Sequence, residues 1–336
     1  MLPLAEARRP LYAGIDLGGT NIKSALVDDE GRLLAFHTQP THADRGPEDT
    51  AARMGRTVHV LAAEAGIAAG DIARVGLGTP GPQDLQAGLI LRAGNLPGWD
   101  NFPVRDRVAA HCGREVTYAN DANAAAYGEF WVGSGQEYSS LILLTLGTGV
   151  GGGIIIGDTN VEGAHSHGSE CGHIIVDTSP TARTCPFGHS GDLEAYASAT
   201  ALKARARQAL AAGATGSLAA AVAAGADVTP ILIAREMEAG DALASELILE
   251  VARWLGIGIV TLMHTIDPAA VILGGAMTFG GDASPVGRAF IDRVRAEVRA
   301  RAFPVLAEKT VIRFASLGNA AGSIGAAGLA RLAARR

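Results

Sequence analysis

The chain has 336 residues, of which 48% are hydrophobic and 44 are glycine; this is more than one compact core usually holds, so two globular domains are expected. A formal charge of −6 without a basic block argues against nucleic acid as the main partner. Three cysteines (Cys112, Cys171, Cys185) make no disulfide framework, the N-terminus lacks a signal-peptide core, and the longest apolar run, around "WLGIGIVTLMH", is too short to span a bilayer. A cytoplasmic protein with no membrane partner is expected.

Residues 11–31, "LYAGIDLGGTNIKSALVDDEG", open the pattern. Leu11–Leu17 reads as a strand, "NIKSALVD" as a second and "RLLAFHT" as a third. A dinucleotide fold or a P-loop would turn into a helix after the glycines, and neither G-x-G-x-x-G nor Gly-Lys-Ser/Thr is present here. A hairpin tip of Gly18, Gly19 and Thr20 can still aim backbone N–H groups at a phosphate. Asp16, at the strand end, is then placed for a hydrated Mg²⁺. A tight hairpin with an acidic rim would read the same way.

"EVTYANDANAAAYGEFWVG", residues 115–133, runs from a short strand into an alanine-rich helix. Asn120 and Asp121 stand at the junction, where either residue type commonly caps a helix. Alternatively Asp121 acts as general base for a sugar hydroxyl, kept ionised by the helix amides. Residues 141–157, "LILLTLGTGVGGGIIIG", repeat the strand, glycine-threonine turn, strand form, with Thr145 where the first hairpin has Asp16. Two such hairpins opening two related halves resemble the actin-like (ribonuclease H-like) ATPase fold, an α/β architecture of two lobes with a nucleotide and sugar cleft between them. Residues 269–281, "AAVILGGAMTFGG", give an apolar strand ending in a glycine pair; in that fold this place packs under the adenosine.

The ordered set "GIDLGGTNIKSALVD", "GLGTPGP", "GNLPGW", "ANDANAAAYGE", "LTLGTGVGGGII", "ECGHIIVD" and "DLEAYAS" resembles the ROK family of bacterial sugar kinases and repressors, from about Tyr12 to Gly328, and looks most like its glucokinase branch. The resemblance implies transfer of the ATP γ-phosphate to the 6-hydroxyl of a hexose, with glucose expected, in the presence of Mg²⁺. It implies Asp121 as catalytic base. Asn95, Asn120, Glu170, His173 and Glu194 would hold the other hydroxyls, with the backbone at Gly81 close by. Gly18, Gly19, Thr20, Gly147, Thr148 and Gly149 would contact the ATP phosphates. Gly274 and Gly275, and also Gly318, would border the adenosine. Two carboxylates, two amides and an imidazole are chemically suited to reading a ring of hydroxyls.

Many members of the family carry a zinc loop of the form C-x-C-G-x-x-G-C with an upstream histidine. This chain reads "CPFGHSGD" from Cys185 to Asp192, so Phe187 and Asp192 stand where two thiolates would be. Structural zinc wants four ligands in a tetrahedron. His189 or Asp192 could complete a changed site, but a loop built for two cysteines argues against it. Zinc is expected to be absent, with Phe187 filling the space. His165 and His167 are read as part of an exposed glycine-rich loop, and Glu170 and His173 as part of a loop entering a strand.

The expected division is a small lobe over 10–126, rejoined by a C-terminal helix over 317–336, and a large lobe over 127–316. Within the latter, Ser198 to Leu262 is helical by pattern. Other acceptors, N-acetylglucosamine, N-acetylmannosamine or another hexose, are not separated from glucose by these residues. A sugar-sensing repressor would need a helix-turn-helix before the first hairpin, and polyphosphate as donor would want a basic track; neither is visible. The resemblance also implies a homodimer or homotetramer.

Overall fold

The computed structural model describes residues 1–92 and 96–335. It begins with β1 (Leu11–Leu17), β2 (Asn21–Val27), β3 (Leu33–Pro40), α1 (Gly46–Glu64) and β4 (Ile72–Thr79). A small hairpin, β5 (Gln83–Asp84) and β6 (Leu89–Ile90), leads to α2 (Val104–Cys112), β7 (Val116–Asn120) and α3 (Asp121–Val132). The first sheet has the order β3-β2-β1-β4-β7. Its β1–β2 and β2–β3 pairs are antiparallel and its β1–β4 and β4–β7 pairs parallel.

Alternation along β1 divides the two faces, as the two-residue period of a strand requires. Leu11, Ala13, Ile15 and Leu17 enter a core with Met54, Val58 and Leu61 of α1 and Val104 and Val108 of α2. Tyr12 points the other way, toward Ile324, Ala327 and Ala330 of the last helix, α11 (Ala321–Arg335). That helix lies so close to the sheet that only glycine fits beneath it. A methyl group on Gly14 would come within 1.8 Å of the Ser323 carbonyl oxygen, and one on Gly76 within 1.8 Å of that of Ala326.

The chain continues through β8 (Ser140–Leu146), β9 (Val150–Ile156) and β10 (Thr159–Asn160), then α4 (Glu194–Ala197), α5 (Ala199–Ala211), α6 (Ser217–Ala223), α7 (Pro230–Glu238) and α8 (Ala242–Ile266). It closes with β11 (Ala270–Gly274), α9 (Pro285–Arg301), α10 (Pro304–Lys309), β12 (Val311–Phe314) and α11. The second sheet, β10-β9-β8-β11-β12, repeats the plan of the first. A hairpin ladder lies on one side, and the β11–β12 pair on the other is parallel.

Two compact units result: Met1–Leu141 with Gly153–Ser169 and Ala315–Arg336, and Ile142–Gly152 with Glu170–Phe314. The boundary expected at 126/127 is not where the structure draws it, because that position falls inside α3. Gly128 of α3 packs on α11, where an added methyl would meet the Ala321 carbonyl oxygen at 2.5 Å. Two further expectations are corrected. The run around Trp254 belongs to α8, which at 25 residues is long and apolar enough to cross a membrane. Its stripe of Leu247, Ile248, Val251, Leu255, Ile259 and Met263 is nonetheless buried in the second unit. "HIIVD" is not a strand but a 3₁₀ turn, Cys171–His173, followed by a single bridge between Ile175 and Asp192.

Candidate active site

In the first unit the parallel strands β1, β4 and β7 bring their carboxyl ends to one edge of the sheet, the usual place for a ligand in such sheets. Asp16 pairs in register with Gly78, and Thr79 with Asn120, so Asp16 and the Asn120–Asp121 junction lie at neighbouring strand ends. Asn120 is the cap of α3: its Oδ1 accepts the Ala122 and Asn123 amides at 2.8 and 3.2 Å. Capping therefore does not require Asp121, the first residue of the helix, whose Oδ1 lies 2.8 Å from the Ala122 amide.

Asp16 is partly exposed by area yet ringed by protein on most sides. Its carboxyl is pushed up to about 7, first by desolvation and then by the charge of Asp121, with Lys23 opposing. Two carboxylates competing for one place mark a position where an added cation would be favoured. Gly322 of α11 closes the other side, since a methyl there would sit 2.7 Å from the Asp16 Cγ.

The β1–β2 tip is Gly18, Gly19 and Thr20, the last two exposed. It is pinned from behind by Thr41, whose hydroxyl donates to the Gly18 carbonyl at 2.6 Å and whose amide donates to that of Thr20 at 2.8 Å. Gly81 lies in the same unit, close enough to Asn120 that a methyl on it would stand 3.8 Å from Nδ2. Asn95 lies outside the described residues.

In the second unit the β8–β9 tip holds Gly147, Thr148 and Gly149. The Glu194 carboxylate accepts the Val150 amide at 3.0 Å. Gly149 runs flush against it, for a methyl there would meet Oε2 at 2.1 Å. The start of α5 supports the same tip through Ala199 N–H to the Gly147 carbonyl at 2.9 Å and the Thr200 hydroxyl to that of Thr148 at 2.8 Å. Gly275, with φ of +91°, packs on Leu146 at the base of the tip. The glycine pair after β11, Gly274 and Gly275, therefore adjoins the second hairpin. Glu170 is exposed at the start of the 3₁₀ turn, and His173 is half-buried with Nδ1 3.0 Å from Asp192 Oδ2.

The loop 185–192 departs from expectation. Phe187 fills no interior space; it is 57% exposed and meets the His173 ring edge-on at 5.3 Å. Nor does the loop hold His189 and Asp192 apart: one donor atom each from His173, Cys185, His189 and Asp192 lie within 4.8 Å of one another. His165 and His167 are exposed loop residues, as expected.

Sequence reading gave no role to two supporting groups. Glu129, fully buried in α3, accepts the Ser134 amide at 2.8 Å and the Ser316 and Leu317 amides at 3.0 and 2.8 Å, fixing the segment just before Gly318. Tyr118 and Thr79 share a hydrogen bond of 2.8 Å beneath the turn that carries Gly81. The signal for Glu129 was present in the sequence, as a carboxylate in the middle of a largely apolar helix.

The sequence pattern of the ROK family matches residues 12–333. Glucokinase from Streptomyces coelicolor is 36% identical over 330 residues, covering 96% of this chain and 98% of the relative. Among solved structures, a ROK hexokinase from Thermus thermophilus superposes with a TM-score of 0.79 at 33% identity, covering 97% of this chain and 99% of that one. A ROK family glucokinase from Streptomyces griseus, solved with glucose and AMPPNP, gives 0.76 at 34% identity and covers 96% and 99%. With both glycine-threonine hairpins, the doubled sheet plan and the Asn-Asp helix start in place, these matches along nearly the whole length identify the chain as a member of the ROK family, with its actin-like ATPase fold.

Proposed function

We propose that the chain is an ATP-dependent hexokinase that transfers the γ-phosphate of magnesium-bound ATP to the 6-hydroxyl of glucose. The observation that carries this reading is the pairing of Asp16 and Asp121 at the carboxyl ends of β1 and β7, beside a glycine hairpin and with Asn120 free of any need for a second cap. Full-length similarity to glucokinases supports the choice of acceptor.

Each side chain then has a task set by its chemistry. Asp121 accepts the proton of the attacking hydroxyl, a contribution on the order of 10²–10⁴-fold. Asp16 favours the cation that accompanies the triphosphate, because a carboxylate that resists ionisation beside another carboxylate gains most from a positive neighbour. The backbone of Gly18, Gly19 and Thr20, and that of Gly147, Thr148 and Gly149, grips phosphate oxygens, and Gly274 and Gly275 border the nucleoside. Asn95, Asn120, Glu170, His173 and Glu194, with the backbone at Gly81, read the sugar hydroxyls. Positioning and charge neutralisation supply most of the remaining acceleration in phosphoryl transfer.

A cytoplasmic, homo-oligomeric enzyme completes the proposal; Cys112, Cys171 and Cys185 are all free and buried, as suits a reducing compartment. A coupled ADP-release assay over hexoses and N-acetylhexosamines tests the reading. Highest kcat/KM with glucose and a requirement for Mg²⁺ are expected; turnover confined to an N-acetylhexosamine would replace the acceptor, and no turnover with any sugar would end the kinase reading.

A further inference from the structure

The first glycine hairpin is braced by the passage that follows β3, and the brace is itself held. Thr41, the residue after β3, is fully buried. Its hydroxyl draws in the Gly18 carbonyl and its amide that of Thr20. A trans peptide is planar, with its carbonyl and N–H pointing in opposite directions. Fixing the Gly18 carbonyl on Thr41 therefore turns the Gly19 N–H away from the brace, outward from the tip. Behind Thr41 stands Arg53, on the second turn of α1, with a side chain only 10% exposed. Its guanidinium donates to the Pro40 carbonyl at 2.7 Å and to the Thr41 carbonyl, while Nε donates to the Asp49 carboxylate at 2.8 Å. A rigid planar fork suits this junction of two carbonyls and a carboxylate, which an ammonium group could not match.

We propose that Arg53 is a positioning residue for the phosphate donor. It touches no ligand; acting through Thr41, it sets the direction in which the Gly19 N–H meets a phosphate oxygen. The inference deepens the kinase reading and rests on the phosphate role given there to Gly18, Gly19 and Thr20. Two successive glycines have little conformational preference of their own, so the orientation of the tip has to come from contacts outside it. The bond from Gly18 N–H to the Asn21 carbonyl, at 3.0 Å, closes the turn but involves neither end of the Gly18–Gly19 peptide. Thr41 supplies that restraint, and Arg53 refers it to α1, whose next residue, Met54, is fully buried in the core of the first unit. An amide aimed before the nucleotide arrives binds it better than one that must be ordered on contact.

The test measures binding of AMPPNP with Mg²⁺ by calorimetry, and the KM for ATP and for the best hexose, on the full chain. Arg53→Met keeps the side-chain stem and removes the fork. Thr41→Val keeps the shape and charge and removes the hydroxyl, whereas Thr41→Ser retains it. Arg53→Met and Thr41→Val are each expected to weaken AMPPNP binding and raise the ATP KM by about five- to tenfold, with the hexose KM within about twofold of wild type. Thr41→Ser is expected to bind AMPPNP as wild type does. A merely structural role would lower the unfolding midpoint and leave the nucleotide affinity of the folded chain unchanged. Wild-type affinity in Thr41→Val, or an equal rise in both KM values, would overturn the proposal, and decides the matter even if Arg53→Met does not fold. A wild-type chain that bound no nucleotide would instead end the kinase reading, and this inference with it.

Discussion

Asp16 has a strongly raised titration, and its consequence for stability has a definite sign. Its carboxyl is raised from 3.8 to about 7 by desolvation and the nearby Asp121 charge. The folded chain therefore holds a proton there that the unfolded chain releases near pH 4. The stability this contributes is fully present below that pH and is lost as pH rises to about 7, on the order of 4 kcal/mol at full extent. With chelator present and no nucleotide, the stability difference between wild type and Asp16→Asn should swing in favour of the variant across pH 4 to 7, measured by urea unfolding at a series of pH values. A flat difference would show that Asp16 ionises normally. At Gly149 a second prediction follows from contact: Gly149→Ala drives a methyl into Glu194 Oε2, 2.1 Å away, and breaks its bond to Val150. Losing one charged hydrogen bond, roughly 1.5–3 kcal/mol, should raise the hexose KM by about tenfold or more in steady-state kinetics. An unchanged KM would remove Glu194 from the sugar site. Asp16, Asn120 and Asp121 were legible in the sequence because a carboxylate at a strand end beside glycines, and an Asn-Asp pair at a helix start, are local patterns. The loop pattern names His189 and Asp192 as possible companions of His173 and Cys185, but that all four approach one another was not legible, because it depends on the Ile175–Asp192 bridge, a pairing that no local spacing encodes.

Among the elements, α11 shows most plainly how small residues set the architecture. A methyl on Gly325 would lie 1.7 Å from the Ala124 carbonyl oxygen, a backbone atom that cannot move without shifting α3. Gly325→Ala should cost roughly 1–3 kcal/mol or more by overpacking, read by chemical denaturation; a neutral result would show that α3 and α11 are looser than their spacing requires. Glu129→Ala should cost a similar amount, roughly 1–3 kcal/mol, by leaving the Ser316 and Leu317 amides without their acceptor. It should also weaken ATP binding if the segment before Gly318 borders the nucleoside. The strands of both hairpins were legible from alternation and glycine turns. The helical period of α8 was legible too, but not that the helix is long and apolar enough to span a membrane, because Glu246, Glu250 and Arg253 break the apolar run that a linear reading counts. "HIIVD" misled in the opposite direction: its β-branched residues suit a strand, but only Ile175 finds a bridging partner.

At the scale of the molecule, two sheets of the same strand plan, each opened by a glycine-threonine hairpin, express an internal duplication that the sequence announces at residues 11–31 and 141–157. The two-lobed plan with a hairpin in each half followed from that repetition and from the family resemblance. The division into units did not, since the chain crosses between them within β8 and β9, where no linker composition marks the passage. The duplication also gave way to asymmetry where chemistry demands it, with Asp16 in one hairpin and Thr145 in the other. The account rests on Asp121 as the proton acceptor in a phosphoryl transfer, and the most direct measurement is turnover of Asp121→Asn with glucose alongside its ATP affinity by calorimetry. The account predicts kcat lower by about 10²–10⁴-fold with ATP binding within a few-fold of wild type. Turnover near the wild-type rate would contradict it.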